Sequence, residues 1–155
     1  MRSAFLLLLS CALVQPALLG AQSVPAAAPE DYSGMYSFLR DGEFVQITVE
    51  DKGRVTGFIS RFGDSESDKG VFMNQFFKSG KLDADKLTFT TDSVHGVWFE
   101  FAGTAVRGPG KKPDEEAYYL LRGTLTRFGT DAEKKTTSQA RTVELKSFPR
   151  DSATN

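Results

Sequence analysis

The sequence predicts an all-β fold: an antiparallel eight-stranded meander closing into an up-and-down β-barrel, with a two-sheet β-sandwich as the alternative. Three observations carry that prediction. Beyond residue 34, apolar and polar residues alternate with a period of two, as in Val45, Ile47 and Val49 against Gln46, Thr48 and Glu50; this is the pattern of a sheet with one buried face. Turn residues such as Asp41-Gly42 and Asp51-Lys52-Gly53 interrupt the alternation at near-regular intervals, marking short sequential hairpins. No window sustains the three-four apolar spacing of a helix. Eight twisted strands can close on themselves, and closure removes the exposed edges that invite aggregation.

Taken in order, the first strand is expected over Met35–Leu39, turned by Asp41-Gly42 into Phe44–Glu50. Asp51-Lys52-Gly53 then leads into Arg54–Phe62, where Val55 and Ile59 alternate with Thr56 and Ser60. The acidic loop Gly63–Gly70 precedes a fourth strand, Val71–Lys78, ended by a tight turn at Ser79-Gly80. Polar residues Asp83–Lys86 introduce the fifth strand, Leu87–Thr91, and the turn Asp92–Gly96 the sixth, Val97–Val106. The glycine- and charge-rich loop Arg107–Glu116 connects to the seventh, Ala117–Phe128, and a polar connection over Gly129–Thr137 to the eighth, Ser138–Phe148. The sixth and seventh are the densest apolar segments beyond the N-terminal run, each with a Gly-Thr pair (Gly103-Thr104, Gly123-Thr124) at its middle.

The chain begins with Arg2, an apolar run and small residues up to Ala21, the pattern of a secretory signal peptide over 1–21. Gln15 and Pro16 break that run below the length of a spanning helix. Residues 22–31 read as a flexible Pro/Ala-rich tether, 32–149 as a single β-barrel domain and 150–155 as a disordered tail. Export to a periplasm or the exterior is the expected destination. Leu8-Leu9-Ser10-Cys11 offers lipidation at Cys11 as the minor alternative. Cleavage after Ala21 removes the single cysteine, so core and ladder alone would hold the domain. The formal charge of −1 becomes −2 without Arg2, with 18 basic residues against 20 acidic; such a balance gives no electrostatic case for nucleic acid or an anionic membrane. An outer-membrane barrel is set aside because Thr88, Thr90, Glu100, Arg122 and Lys146 would burden its lipid-facing band.

An eight-stranded meander opening on Gly34-Met35-Tyr36 resembles the calycin group of barrels, which includes lipocalins and avidins. The likeness implies a ligand-holding barrel. It also implies that Tyr36, standing where lipocalins carry tryptophan, packs over one end of the barrel against a basic residue of the last strand, for which Arg141 is the candidate.

The apolar face Val97-Phe99-Phe101 and Tyr119-Leu121-Leu125 is the expected core. Phe99, Phe101, Tyr119 and Leu121 are then candidate walls of a ligand cavity. The opposite face is expected outward, with Trp98, Tyr118 and Phe128 as an interaction patch and Glu100 and Arg122 as a cross-strand ion pair. His95 sits in a turn beside Asp92 and Ser93, too crowded to converge as a triad, and no Gly-x-Ser-x-Gly elbow is present. Asp64, Glu66 and Asp68 alternate as calcium ligands do, but their spacing to Gly70 and Gln75 misfits the EF-hand. Gly108-Pro109-Gly110-Lys111-Lys112 lacks the spacing of a phosphate loop. No cofactor is implied.

The expectation is therefore an exported non-enzymatic barrel binding a small apolar or amphipathic molecule in its interior. The alternative is a packed barrel acting as a structural or protein-interaction module through its aromatic wall, self-association included.

Overall fold

A computed structural model describes residues 30–64 and 66–150. The expected signal peptide, Cys11, most of the expected tether and the expected tail beyond Arg150 lie outside these residues. Eight strands form one antiparallel meander in sequence order: β1 (Gly34–Ser37), β2 (Phe44–Val49), β3 (Val55–Phe62), β4 (Phe72–Asp83), β5 (Lys86–Thr91), β6 (Val97–Arg107), β7 (Tyr119–Thr130) and β8 (Thr136–Lys146). The only helical turns among the described residues are two 3-10 turns, Asp51–Gly53 and Glu66–Asp68. No described helix is long and apolar enough to cross a membrane. The sheet curls until β8 meets β1 along a short seam. There Tyr36 bridges Ser147, the Phe148 amide donates to the Met35 carbonyl at 2.9 Å, and the Lys146 amide donates to Ser37 Oγ at 3.0 Å.

Period-two alternation becomes burial of one face. Tyr36, Val45, Ile47, Val55, Ile59, Leu87, Phe89, Phe99, Phe101, Tyr119, Leu121, Leu125 and Leu145 all point inward and are buried. Their rings fill the interior: Phe77 stacks on Phe89 at 4.3 Å, Phe89 on Phe101 at 5.3 Å, and Phe38 meets Phe99 edge-on at 5.5 Å. The two Gly-Thr pairs have a packing reason. Gly103 and Gly123 face each other across β6 and β7, and a Cβ on Gly103 would lie 2.8 Å from the Phe101 ring and 2.2 Å from the Arg122 carbonyl oxygen. Their missing side chains let the two backbones close up beneath that ring.

Three boundaries differ from expectation. β1 ends at Ser37 because the Phe38 amide turns to the Glu43 carbonyl at 3.1 Å, opening a six-residue loop around Asp41-Gly42. Ser79-Gly80 is not a turn: β4 runs through it to Asp83, with a bulge between Phe77 and Ser79. Gly80 is required there by close approach, since its Cβ would fall 2.5 Å from the Val55 carbonyl oxygen. The turn lies instead at Ala84-Asp85, where Ala84 takes a positive φ of 56°. The β7–β8 hairpin is tighter than expected, pairing out to Thr130 opposite Thr136.

One end of the barrel holds the β2–β3 and β4–β5 turns, the long β6–β7 loop and the first and last described residues. Arg150 fastens those two segments together: its guanidinium donates to the carbonyls of Asp31 and Ser33 and lies 5.2 Å from the Tyr119 ring centroid. Glu30 accepts from the Tyr119 hydroxyl, which holds residue 30 against the barrel. Tyr36 is fully buried and donates its hydroxyl to the Tyr32 carbonyl at 2.7 Å. The basic residue near it is Arg150. Arg141 lies opposite Leu125, farther along β8 than the short β1 reaches.

These phenols make the fold alkali-sensitive. Burial pushes Tyr36 well above the ordinary tyrosine value, and burial followed by the Glu30 hydrogen bond pushes Tyr119 up to about 12. A phenol is neutral when protonated. Between its unfolded value of about 10 and its raised folded value, the folded chain therefore holds the proton and the unfolded chain releases it. Stability is expected to be level below about pH 10 and to fall as pH rises toward 12. Urea unfolding across that range checks this, and a midpoint that stayed level would contradict the burial of these phenols.

Candidate functional site

The opposite end carries the loops β1–β2, β3–β4, β5–β6 and β7–β8, and there the inward face changes from apolar to polar. On β3 the inward phase that includes Val55 and Ile59 continues to Arg61, and on β4 the inward phase places Gln75 opposite Ile59. Arg61 is 2% exposed and Gln75 fully buried. Arg61 Nε donates to Gln75 Oε1, one of its terminal nitrogens donates to Asp64 at 2.8 Å and to the Phe62 carbonyl at 3.0 Å, and its guanidinium lies 5.3 Å from the Phe99 centroid. Gln75 Nε2 donates to the carbonyls of Val97 at 2.8 Å and Asp92 at 3.2 Å. Burial pulls the Arg61 guanidinium below the usual arginine value, and Asp64 opposes that shift. With its hydrogen bonds met, the group remains a cation.

Around this buried pair the rim is rich in arginine. Glu43, also buried, accepts from the Arg40 and Phe62 amides at 3.1 and 3.0 Å and from Arg40 Nε at 2.8 Å, tying the first loop to the end of β3. Asp64 sits between Arg61, Arg127 at 3.2 Å and Arg40 at 3.7 Å. The Arg141 side chain makes no ion pair or hydrogen bond with any described residue. A cleft of about 290 Å³ opens here between Phe38, Leu39, Arg40, Glu43, Arg61, Asp64, Arg127 and Arg141. A second of about 140 Å³ adjoins it, sharing Leu39, Arg127 and Arg141 and floored by Phe99 and Leu125. Four arginines against two carboxylates leave the first cleft with two net positive charges.

Several solved structures share this chain topology. Rhizavidin covers 79% of this chain and 87% of its own at 9% identity with a TM-score of 0.56, and short apo afifavidin 80% and 97% at 14% with 0.53. Apo bradavidin2 covers 74% and 94% at 13% identity with 0.51, and a rhizavidin–biotin complex is also similar at 9% identity and 0.55. The fold is avidin-like. No known family and no curated protein matches the sequence.

Phe99, Phe101, Tyr119 and Leu121 lie in the filled core, and of the four only Phe99 reaches the rim clefts. Trp98 and Phe128 are a cross-strand pair on the outer face, stacked at 4.9 Å with planes 4° apart. Tyr118 does not join them. It lies ten residues from Phe128, roughly 33 Å along an extended strand, with the Arg107 guanidinium 3.6 Å from its ring centroid. The Glu100–Arg122 pair does not form either, because the register sets Glu100 opposite Thr126 and Arg122 opposite Thr104. Arg122 instead donates to Glu144 on β8 at 2.8 Å. The carboxylates of the β3–β4 loop are spent separately, Asp64 on arginines and Asp68 on His95 Nδ1 at 2.8 Å. No group of three or more His, Cys, Asp or Glu is placed to hold a metal among the described residues. His95 thus has a long-range partner rather than a local one, and its positive φ of 51° marks the turn that presents it.

Proposed function

We propose that this chain is a non-catalytic carrier whose rim end takes a small amphipathic anion. The apolar part would lie on Leu39, Phe99 and Leu125, and the carboxylate or similar head between Arg127 and Arg141. The observation that carries this reading is Arg141, a cation without a partner among the described residues, set over an apolar floor in a cleft with excess positive charge. A planar guanidinium fork suits a carboxylate. The two clefts together fall in the lower part of the range of small-molecule site volumes. Because aromatic rings and the Arg61–Gln75 pair fill the interior, the ligand is placed at the mouth rather than deep in the barrel. The similarity to a biotin-bound rhizavidin supports a carrier role through fold alone, and biotin, a carboxylate on an apolar arm, belongs in the test panel.

Calorimetric titration with octanoate, biotin, octanol and octylamine provides that test. The anions are expected to bind and the amine not to. Arg141→Glu is expected to weaken anion binding by at least about 10-fold, since it reverses a charge at the head position. Failure of every anion to bind, or binding unchanged in Arg141→Glu, would refute the reading.

A further inference from the structure

The outer wall of β2, β3 and β4 carries an aromatic surface that neither the rim site nor the Trp98–Phe128 pair uses. Outward positions of these strands bring Phe44 within 5.8 Å of Phe58, Phe58 within 5.6 Å of Phe76 and Phe62 within 4.1 Å of Phe72, centroid to centroid. Phe76 is 59% exposed, Phe72 49% and Met35, across β2 and β3 on β1, 39%. The register fills the gaps with Ser37, Gln46, Ser60 and Asn74. These ten outward positions contain no charged residue, in a chain that is 25% charged. Charge appears only at the margins, with Arg40 over the Phe62 ring, Lys78 beyond Phe76, and the Glu50–Arg54 pair past Thr48 and Thr56.

We infer that this face is a self-association surface, where two copies of the chain pack sheet against sheet around a two-fold axis centred near Phe58 and Phe76. The lack of charge selects a second copy as the occupant. A two-fold axis sets each group near the axis against its own counterpart, so any charge there would repel itself. An uncharged apolar centre with both signs of charge at its margin matches itself.

The size agrees with a modest dimer. At about 4.8 Å between strands and 3.3 Å per residue, ten outward positions span roughly 300 Å² of sheet. That is the uncharged, largely aromatic core of an interface burying about 800 Å² per partner, with the charged margin supplying the rest. By contrast, the wall over β5–β7 and the end of β4 is threonine-rich and carries Lys81 and Glu100.

Sedimentation equilibrium over a micromolar to millimolar series tests the inference. The wild-type protein is expected to dimerise within that range. Phe76→Glu, at an exposed position, is expected to raise the dissociation constant on the order of 100-fold while keeping the far-ultraviolet spectrum and thermal midpoint of a folded barrel. Trp98→Ser, on the other outer face, is expected to leave association unchanged. A monomer at every concentration would overturn the inference, as would a dimer that survives Phe76→Glu or is dissolved by Trp98→Ser. A monomer that floats with neutral phosphatidylcholine vesicles in a Phe76-dependent way would overturn it in favour of a lipid surface.

Discussion

Replacing Gly57 by alanine is expected to cost more than about 4 kcal/mol, enough to unfold much of a domain of this size at ambient temperature. Gly57 sits in the middle of β3 at φ 153°, where an added Cβ would lie 1.9 Å from the Gln46 carbonyl oxygen and 3.1 Å from the Phe77 ring. The clash is with the backbone of the neighbouring strand, so no rotamer change relieves it. Relief requires β2 and β3 to separate, which breaks the ladder from Phe44 to Val49. Gly70 separates clash from backbone strain: it has φ 79° with nothing within 4 Å of its Cβ position. Gly70→Ala should therefore cost only about 1 kcal/mol, the ordinary penalty for a side chain in that conformation. Urea unfolding of both variants decides the matter, and near-equal losses would mean that contact at Gly57 is not what the position protects.

Most of the architecture was legible because the relevant signals are local. Alternation in Val45, Ile47 and Val49 names the buried face, and Asp51-Lys52-Gly53 names a turn whose residues accept positive φ. Ser79-Gly80 misled for an equally physical reason. A serine-glycine pair suits a turn, but the same small residues suit a bulge where the neighbouring β3 backbone approaches closely, and only the pairing partner distinguishes the two. The Glu100–Arg122 expectation failed because same-face membership does not set register. The long hairpin places these residues four positions apart on the ladder, beyond a direct or diagonal pair.

The rim site was only partly legible. Arg61 keeps the inward phase of Val55 and Ile59, and Gln75 is the polar inward position of its own strand, so phase alone foretells a polar end to the interior. What phase does not foretell is that Asp64, in a loop, would be shared among three arginines, or that Arg127 and Arg141 would meet over Phe99 and Leu125. Those contacts depend on how far the sheet curls. The aromatic wall was present in the sequence as Phe44, Phe58, Phe62, Phe72 and Phe76, each on the outward phase. Phase names each ring's face but not that the rings meet, which depends on the register of β2, β3 and β4.

Gln75→Met is expected to destabilise the barrel by about 3–5 kcal/mol, although methionine nearly preserves the volume. Gln75 answers three partners at once: it accepts from the buried Arg61 Nε and donates to the Val97 and Asp92 carbonyls. Methionine leaves Arg61 Nε and the Asp92 carbonyl without this partner and the Val97 carbonyl with the Val94 amide alone, and an unmet buried group costs about 1–3 kcal/mol, more when it is charged. The carbonyls line the path into β6, so loosening there should also disturb the Leu39, Phe99 and Arg127 side of the rim. Arg61→Met in the same background removes the orphaned cation, and replacing a buried polar pair by apolar groups of similar shape is far milder than breaking it. The double variant should accordingly be more stable than Gln75→Met alone, a coupling of at least about 1 kcal/mol by double-mutant cycle. Strict additivity would show that Arg61 does not depend on Gln75. It would also remove the reason for placing a rigid polar floor beneath the arginine rim, since a guanidinium free to move would leave Asp64 and Arg127 without a fixed neighbour.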